Sequence, residues 1–518
     1  MTADLATLLV LTPVVPGLAA LLIPLFSARP NAREAVTLLA AGILFAIVLT
    51  LLGEVTQGAR PAVNLVEILP GLALGLAIEP LGMLFAVIAS GLWIVNSIYS
   101  IGYMRGNDEP RQTPYYVCFA VAIASTMGIA FSANLFTLFI FYEILTLSTY
   151  PLVSHKQNDE AKQGGRTYLV ILLGTSMVLL LPAIIWTWVA AGTVEFTPGG
   201  ILGGKVSDPV LGVLLALYAF GVGKAALMPF HRWLPAAMVA PTPVSALLHA
   251  VAVVKAGVFT VVKVIVYVFG IETLAASGYS GWLVYIAGFT VIAASIVALN
   301  QDNLKRLLAY STVSQLSYVI IAAALFTPLA VVGAAVHIAV HAVSKITLFF
   351  AAGSIYTAAH LTEISQMRGI GRRMPWTMTA FAVGAVSMIG LPPTAGFLGK
   401  WFILQGAMTI EQWFVVAVIV ASTVLNAMYF LPIIVTAFLR EPAPAAGAAA
   451  AGAAHEHGEA PLTIVIALTI TASLVVLMFL FPDLPLGLAE AMVEEGAGLP
   501  DAGAALPAAD VPGEGASQ

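Results

Sequence analysis

Two proline-interrupted stretches decide the fold of this chain: residues 222–237, VGKAALMPFHRWLPAA, and residues 388–402, MIGLPPTAGFLGKWF. Each lies inside a long apolar segment and combines a helix-breaking proline with a lysine, Lys224 in the first and Lys400 in the second. Proline removes a backbone donor, and a membrane helix tolerates the break only where protein or water satisfies the freed groups. The stretches therefore predict two broken helices around a polar interior.

The composition is that of a polytopic membrane protein. The 518 residues are 60% apolar and only 9% charged, and the mean hydropathy is +0.99. A span needs about 20 apolar residues, and helices satisfy their own backbone in lipid. The sequence predicts an all-α bundle of about 14 transmembrane helices. They are expected at 5–26, 33–53, 78–99, 114–131, 134–153, 166–190, 210–238, 242–270, 281–300, 306–325, 329–357, 375–409, 412–438 and 461–481.

Cysteine and histidine usage exclude several kinds of site. The single cysteine, Cys118, lies inside a span, which excludes disulfides within the chain and an iron–sulfur cluster held by its own cysteines. His455, Glu456 and His457 could contact a metal, but no third ligand has a fixed position, so a solvated loop is favoured. We therefore predict no cofactor and no metal.

The first span has no basic flank or cleavage site, which argues against a cleaved signal peptide.

Basic residues predict the orientation. Loops after odd-numbered spans hold 14 lysines and arginines, and loops after even-numbered spans hold only Arg60 and Lys205. Because cytoplasmic loops carry the excess of basic residues, the loops after odd-numbered spans are expected in the cytoplasm and both termini outside it. We expect a multi-pass protein of the cytoplasmic membrane of a prokaryote, in this orientation.

The two broken helices also predict an internal repeat. They run in opposite directions and are five spans apart, as in inverted-repeat transporters; prolines that merely kink two helices are the alternative. We divide the chain into spans 1–3 (1–113), a first five-helix repeat (114–270), a second inverted repeat (281–438), a low-complexity linker (439–460), the last span (461–481) and a flexible, non-amphipathic tail (482–518).

Charged residues inside the spans predict proton movement. A charge at the bilayer centre costs at least about 2.5–3.5 kcal/mol, yet Glu143 and five lysines fall in spans. Lys224 is the expected partner of Glu143. A static buried salt bridge is the alternative, although such pairs stabilise weakly compared with apolar substitutes. Two residues have other expected roles: Lys263 is expected to extend its amine toward the interface, and Glu79 to act as a carboxylate at a helix N-terminus.

Histidines extend the predicted path. His337, His341 and Lys345 are spaced i, i+4 and i+8, which places them on one stripe of span 11. Lys255 lies midway along span 8 and His249 six residues before it. Histidine titrates near neutral pH, so the groups suit proton hopping from Glu143 and Lys224 through Lys255 and the stripe to Lys400. Satisfied core histidines are the alternative.

Three stretches resemble the antiporter-like subunits shared by Mrp-type cation/proton antiporters and respiratory complex I. They are residues 223–257, residues 302–318 (DNLKRLLAYSTVSQLSY) and residues 390–401 (GLPPTAGFLGKW). The resemblance implies a proton path formed by a glutamate in span 5, lysines in spans 7 and 8 and a charged residue in span 12. These correspond to Glu143, Lys224, Lys255 and Lys400.

Within that family, the size and motifs resemble the D-type subunit of an Mrp antiporter. The resemblance implies a hetero-oligomeric complex that exchanges sodium or another monovalent cation for protons. A proton-pumping subunit of complex I or of a membrane-bound hydrogenase is the alternative. A subunit coupled to bicarbonate uptake, or a scaffold, is a third. The sequence does not decide between the first two, because the same proton path serves both.

Overall fold

The protein is a bundle of membrane-spanning helices, as predicted. A computed structural model describes residues 2–441 and 458–496. Within them, 11 helices are long and apolar enough to cross a membrane. Of the other three predicted spans, 7 and 12 are broken into shorter helices, and 10 is continuous but more polar. The continuous spans are Thr2–Leu22 with Ile23–Phe26, Pro30–Val55, Pro80–Gly106, Gln112–Ala130, Leu135–Val153, Trp282–Leu299, Leu304–Ala323, Pro328–Ala359, Trp413–Leu439 and Leu462–Leu480.

Spans 6, 7, 8 and 12 are assembled from several pieces. Span 6 contains a wide π-helical turn, and span 8 contains two. The pieces are Asp159–Thr175, Ser176–Leu180 and Leu181–Ala191 in span 6; Asp208–Gly221, Gly223–Ala225, Trp233–Ala236 and Ala237–Val239 in span 7; Thr242–Ala246, Leu247–Val251, Val253–Val264 and Ile265–Phe269 in span 8; and Pro375–Ile389 and Gly396–Thr409 in span 12. Short helices at Ile271–Ala276, Ile364–Gln366 and Ile370–Arg373 lie in loops.

The described part of the bundle is helical as predicted, apart from one short antiparallel hairpin that joins spans 2 and 3 at one end. Its strands are β1 (Ala62–Leu69) and β2 (Leu72–Ala77). Pro70 and Gly71 form the turn, and Gly71 has φ +80°, a conformation that glycine adopts readily. The amide of Ala77 donates to the Phe131 carbonyl at 2.7 Å, so the hairpin covers the turn between spans 4 and 5. We call this side the hairpin end.

Loops at the opposite side carry most of the arginines, and we call that side the basic end. There Arg105 pairs with Glu34, and the Arg111 guanidinium donates to the His155 carbonyl at 2.6 Å. Spans 8 and 11 are almost entirely buried in the middle of the bundle. Their polar residues therefore face protein rather than lipid.

The two predicted breaks are present and run in opposite directions. Span 7 passes from the hairpin end to the basic end, and its helix stops at Gly221; the Trp233 indole then donates to the freed Gly223 carbonyl at 2.9 Å. Span 12 passes the other way, and its helix stops at Ile389, where Gly390 takes φ +92°. The division into two five-helix repeats remains a prediction.

The tail is not wholly the flexible segment that we expected. Asp483–Gly496 is a helix whose Leu488, Ala489, Met492 and Val493 are buried. These residues form one face at i, i+1, i+4 and i+5, so the segment is amphipathic and packs on the bundle. Residues 442–457, with His455, Glu456 and His457, and residues 497–518 lie outside the described part of the chain.

Candidate functional site

Lys400 lies at the break in span 12, as its sequence position suggests. Its amine donates to the Met388 carbonyl at 3.0 Å and to the Ile389 carbonyl at 2.8 Å. These are carbonyls at the end of a helix, which have no partner inside the helix itself. The negative end of the helix dipole favours a cation there. The break therefore supplies a polar position for a buried lysine at the depth of the membrane.

Gln315 connects this break to the histidines of span 11. Its carbonyl oxygen lies 3.0 Å from His337 Nε2, and its amide nitrogen lies 3.4 Å from the same Met388 carbonyl that accepts from Lys400. The Asn426 amide donates to that carbonyl as well, at 3.2 Å. The Met388 carbonyl oxygen thus accepts hydrogen bonds from side chains of spans 10, 12 and 13.

The histidine stripe meets Lys255 at its middle position. Lys255 Nζ lies 2.5 Å from His341 Nδ1. The rings of His337 and His341 are stacked with their centroids 6.1 Å apart. Both histidines and the lysine are almost completely buried. The structure therefore brings Lys255, His341, His337, Gln315 and Lys400 into one series of neighbours, with a step between the two rings that requires ring motion or water.

Lys345 and His249 contact residues of span 10 instead of the groups around Lys255. The Lys345 amine donates to Ser311 Oγ at 2.9 Å, and His249 Nδ1 lies 3.1 Å from Thr312 Oγ1. Ser311 and Thr312 are adjacent on span 10. Lys345 also lies closer to the basic end than His341 does, since span 11 runs toward that end. The stripe thus divides, with His337 directed to Lys400 and Lys345 forming a branch toward the basic end.

The expected ion pair between Glu143 and Lys224 is not formed; no bridge within 4.0 Å joins these two described residues. The Lys224 amine instead donates to the Tyr142 carbonyl at 2.8 Å and to Thr146 Oγ1 at 2.6 Å. It also lies 3.1 Å from the centroid of the Tyr142 ring. Glu143 is buried, and neither carboxylate oxygen has a hydrogen-bond partner in the described chain. Tyr142 and Thr146, on the same helix as Glu143, therefore accept the hydrogen bonds that we expected the Glu143 carboxylate to accept from Lys224.

The groups around Lys224 and around Lys255 are neighbours because the backbone of span 7 packs against span 8. A methyl group added at Gly257, two residues after Lys255, would lie 2.4 Å from the Lys224 carbonyl carbon. The break in span 7 therefore packs directly on span 8 next to Lys255. Between the two amines no hydrogen-bonded link joins the described side chains, so this step differs from the continuous contacts around His341.

Lys263 and Glu79 have other roles than we expected. Lys263 does not extend to the interface: it is fully buried, its Nζ lies 2.5 Å from Glu79 Oε1, and it donates to the Ser132 carbonyl at 2.8 Å. Glu79 precedes span 3 but makes no side-chain cap there. The two residues form a buried ion pair at the hairpin end, apart from the groups around Lys255.

Sequence reasoning missed several polar groups of the site. Gln315, Thr146 and Asn426 carry no charge and fall on no histidine or lysine stripe. The available signal was their polarity inside apolar spans, where polar residues usually face the bundle interior. In the described ranges, no group of three His, Cys, Asp or Glu side chains is placed to hold a metal ion.

Known proteins similar to this chain include subunits of NADH-quinone oxidoreductases and of cation/proton antiporters. A family model described as "NADH:quinone oxidoreductase/Mrp antiporter, TM" matches residues 132–426. NADH-quinone oxidoreductase subunit N of Desulforudis audaxviator is 32% identical over 455 residues, covering 85% of this chain and 87% of that protein. The Na(+)/H(+) antiporter A-type subunit of Alkalihalophilus pseudofirmus is 32% identical over 346 residues, but only 41% of its length is covered.

Solved structures share the fold. A chain of the Mrp complex from Dietzia sp. DQ12-45-1b superimposes with a TM-score of 0.85 at 22% identity, covering 96% of this chain and 98% of that one. A chain of an archaeal membrane-bound sulfane sulfur reductase gives a TM-score of 0.83 at 23% identity. The predicted family is confirmed: this chain belongs to the transmembrane subunit family that NADH:quinone oxidoreductases and Mrp antiporters share.

Proposed function

We propose that the chain is the proton-translocating subunit of a multisubunit monovalent cation/proton antiporter, in the position of the D-type subunit of an Mrp complex. The observation that carries the proposal is the series of contacts from Lys255 through His341, His337 and Gln315 to the Met388 carbonyl and Lys400. Buried amines and imidazoles in such a series can exchange a proton between neighbours without exposing a charge to lipid.

The proposed path begins at the basic end and finishes at the hairpin end. Lys345, on its branch toward span 10, delivers a proton to His341, which exchanges it with Lys255. The proton then moves to His337 and through water to Lys400, while Gln315 holds the His337 ring beside the break in span 12. Glu143 and Lys224 provide the coupling: a proton arriving at the unpartnered carboxylate changes the field at Lys224 and, through span 8, at Lys255. The cation and the other subunits of the complex complete the exchange.

The orientation forms part of the proposal. The basic end is placed in the cytoplasm of a prokaryote, because basic loops remain on that side, and both termini lie on the other side. Reporter cysteines placed singly in the loops of a Cys118→Ser variant would test this by their accessibility to an impermeant reagent. Labelling of the hairpin-end loops from the cytoplasm would contradict the orientation.

Sodium-dependent proton exchange is the direct test. The chain would be expressed with its neighbouring subunits in an antiporter-deficient bacterium, and dequenching of a pH dye recorded in inside-out vesicles on sodium addition. Lys255→Met should abolish exchange in a complex that still assembles. Lys205→Met, in an exposed loop, is the matched control. Full exchange in the Lys255→Met complex would contradict the proposal.

A redox-driven complex is the second candidate, because the relative matched over most of both chains is an NADH-quinone oxidoreductase subunit. The proton path would be the same, but quinone reduction would drive it. Proton pumping that needs an electron donor and ignores a sodium gradient would favour this candidate. Sodium exchange without any electron donor would favour the antiporter.

A further inference from the structure

A cavity at the basic end carries two unpaired arginines. It has a volume of about 430 Å³ and lies between the start of span 6, the second half of span 7 and the start of span 10. Arg232 and Arg306 line it, and Glu160 lies on its wall. Neither guanidinium makes an ion pair or a side-chain hydrogen bond within the described ranges. The cavity thus has a net positive lining and free donors for an anion.

An apolar groove on the outer face of the bundle begins near this cavity at Phe230 and extends toward the hairpin end. It has a volume of about 660 Å³ and runs between spans 6, 7 and 9, lined by residues such as Leu217, Phe220, Pro229 and Phe230. No charged side chain lines it. Val213 in its lining is 50% exposed, and Val178 next to the lining residue Leu179 is 68% exposed, so the groove opens on a face available to lipid.

The break in span 7 joins the two features. Phe230 lines the groove and Arg232 lines the cavity. Two residues of chain span at most about 7 Å, so the end of the groove and the basic cavity are neighbours. A ligand that filled both would need an anionic head and a long apolar chain.

We propose that this composite site binds one anionic phospholipid from the leaflet at the basic end. The phosphate lies between Arg232 and Arg306, since guanidinium groups bind phosphate oxygens with paired hydrogen bonds. One acyl chain follows the groove past Phe230 and Phe220. Glu160 accepts from a hydroxyl of the head group. A free phosphate would leave the groove unused, and a neutral lipid would leave both arginines without a counter-charge. The lipid would brace the broken helix that carries Lys224.

Photolabelling tests the site directly. The full chain, with the subunits that purify with it, is placed in nanodiscs of phosphatidylcholine that contain phosphatidylglycerol with a photoreactive acyl chain. Labelled peptides are located by mass spectrometry. Label is expected on the part of the groove next to the break, residues 216–230. Each basic residue at a membrane surface contributes about a fivefold change in affinity, so Arg232→Gln with Arg306→Gln should reduce labelling about thirtyfold.

Two further variants make the outcome decisive. Arg166→Gln, an exposed arginine on span 6 outside the cavity, should leave labelling unchanged. Ala216→Phe should block the groove and remove its label while both arginines remain. Undiminished labelling in the double arginine variant, or in Ala216→Phe, would overturn the proposal. So would displacement of the label by inorganic phosphate or its appearance only on a partner protein, which would mean that a free anion or a protein occupies the site.

Discussion

Replacing Glu79 by glutamine should leave a buried lysine without its counter-ion. Lys263 is fully buried, and the Glu79 carboxylate, 2.5 Å away, is its ion-pair partner. Breaking a buried pair by removing one partner costs about 3–5 kcal/mol. Lys263 would keep the Ser132 carbonyl at 2.8 Å and the Phe196 ring at 4.3 Å. We therefore expect the lower limit, about 3 kcal/mol of unfolding free energy for Glu79→Gln.

Denaturant unfolding of the detergent-purified protein would measure this loss. Adding Lys263→Met to Glu79→Gln removes the uncompensated charge, and the double variant should recover to within about 1 kcal/mol of the wild-type protein. Glu272→Gln, an exposed carboxylate at the same end, should change the unfolding free energy by no more than about 0.5 kcal/mol. If Glu79→Gln is as stable as Glu272→Gln, the ion pair does not hold the hairpin end together.

Two other variants test neighbouring parts of the molecule. In Gly399→Ala, the new methyl group would lie 2.6 Å from His337 Nδ1 and 3.1 Å from its Cα, so His337 must shift as a whole. The contact with Gln315 should weaken, and proton flux should fall about tenfold. Gly174→Ala, with nothing within 4 Å of the new carbon, should not change the flux. Burial, and then the Arg111 guanidinium, lower the pKa of His155 below its ordinary value of 6.5; the Glu109 carboxylate, 3.9 Å from its Nε2, is too distant for a hydrogen bond and does not offset them. Because the unfolded chain then binds more protons, stability should be complete above pH 6.5 and fall as the pH drops through the pKa of the folded protein. His155→Asn should therefore lose less stability in acid than His360→Asn, as pH-dependent unfolding would show, and equal acid sensitivity would contradict this.

The membrane architecture could be predicted from sequence because it depends on local properties. Apolar length determines the spans, and the prolines at 229 and 392–393 mark the two breaks. The hairpin was missed although the signals were present: β1 is rich in branched residues, and Pro70 and Gly71 mark a turn. The terminal helix was missed since its glycines and acidic residues suggested a solvated tail, whereas Leu488 and Met492 bury one face.

Partners across the bundle were harder to predict. The sequence identifies Lys255 and His341 as buried titratable residues, but only tertiary packing puts them in contact. The sequence pairs Lys224 with Glu143, yet the carbonyl of Tyr142 and the hydroxyl of Thr146 are nearer. A position near a helix end suggests the interface for Lys263, but its partner Glu79 is distant in sequence. An uncharged residue such as Gln315 becomes noticeable only once its neighbours are known.

Lys255 and Lys400 are proposed to exchange protons through His341 and His337, with Gln315 holding His337 beside the break in span 12, and Gln315→Leu tests this. The measurement is proton flux through the reconstituted complex. Leucine removes the link between His337 and the Met388 carbonyl while the charged groups remain. Flux through an assembled Gln315→Leu complex should fall about tenfold or more. Gln301→Leu, in the loop before span 10, should retain full flux. Unchanged flux in Gln315→Leu would show that protons reach Lys400 without His337 being held by Gln315.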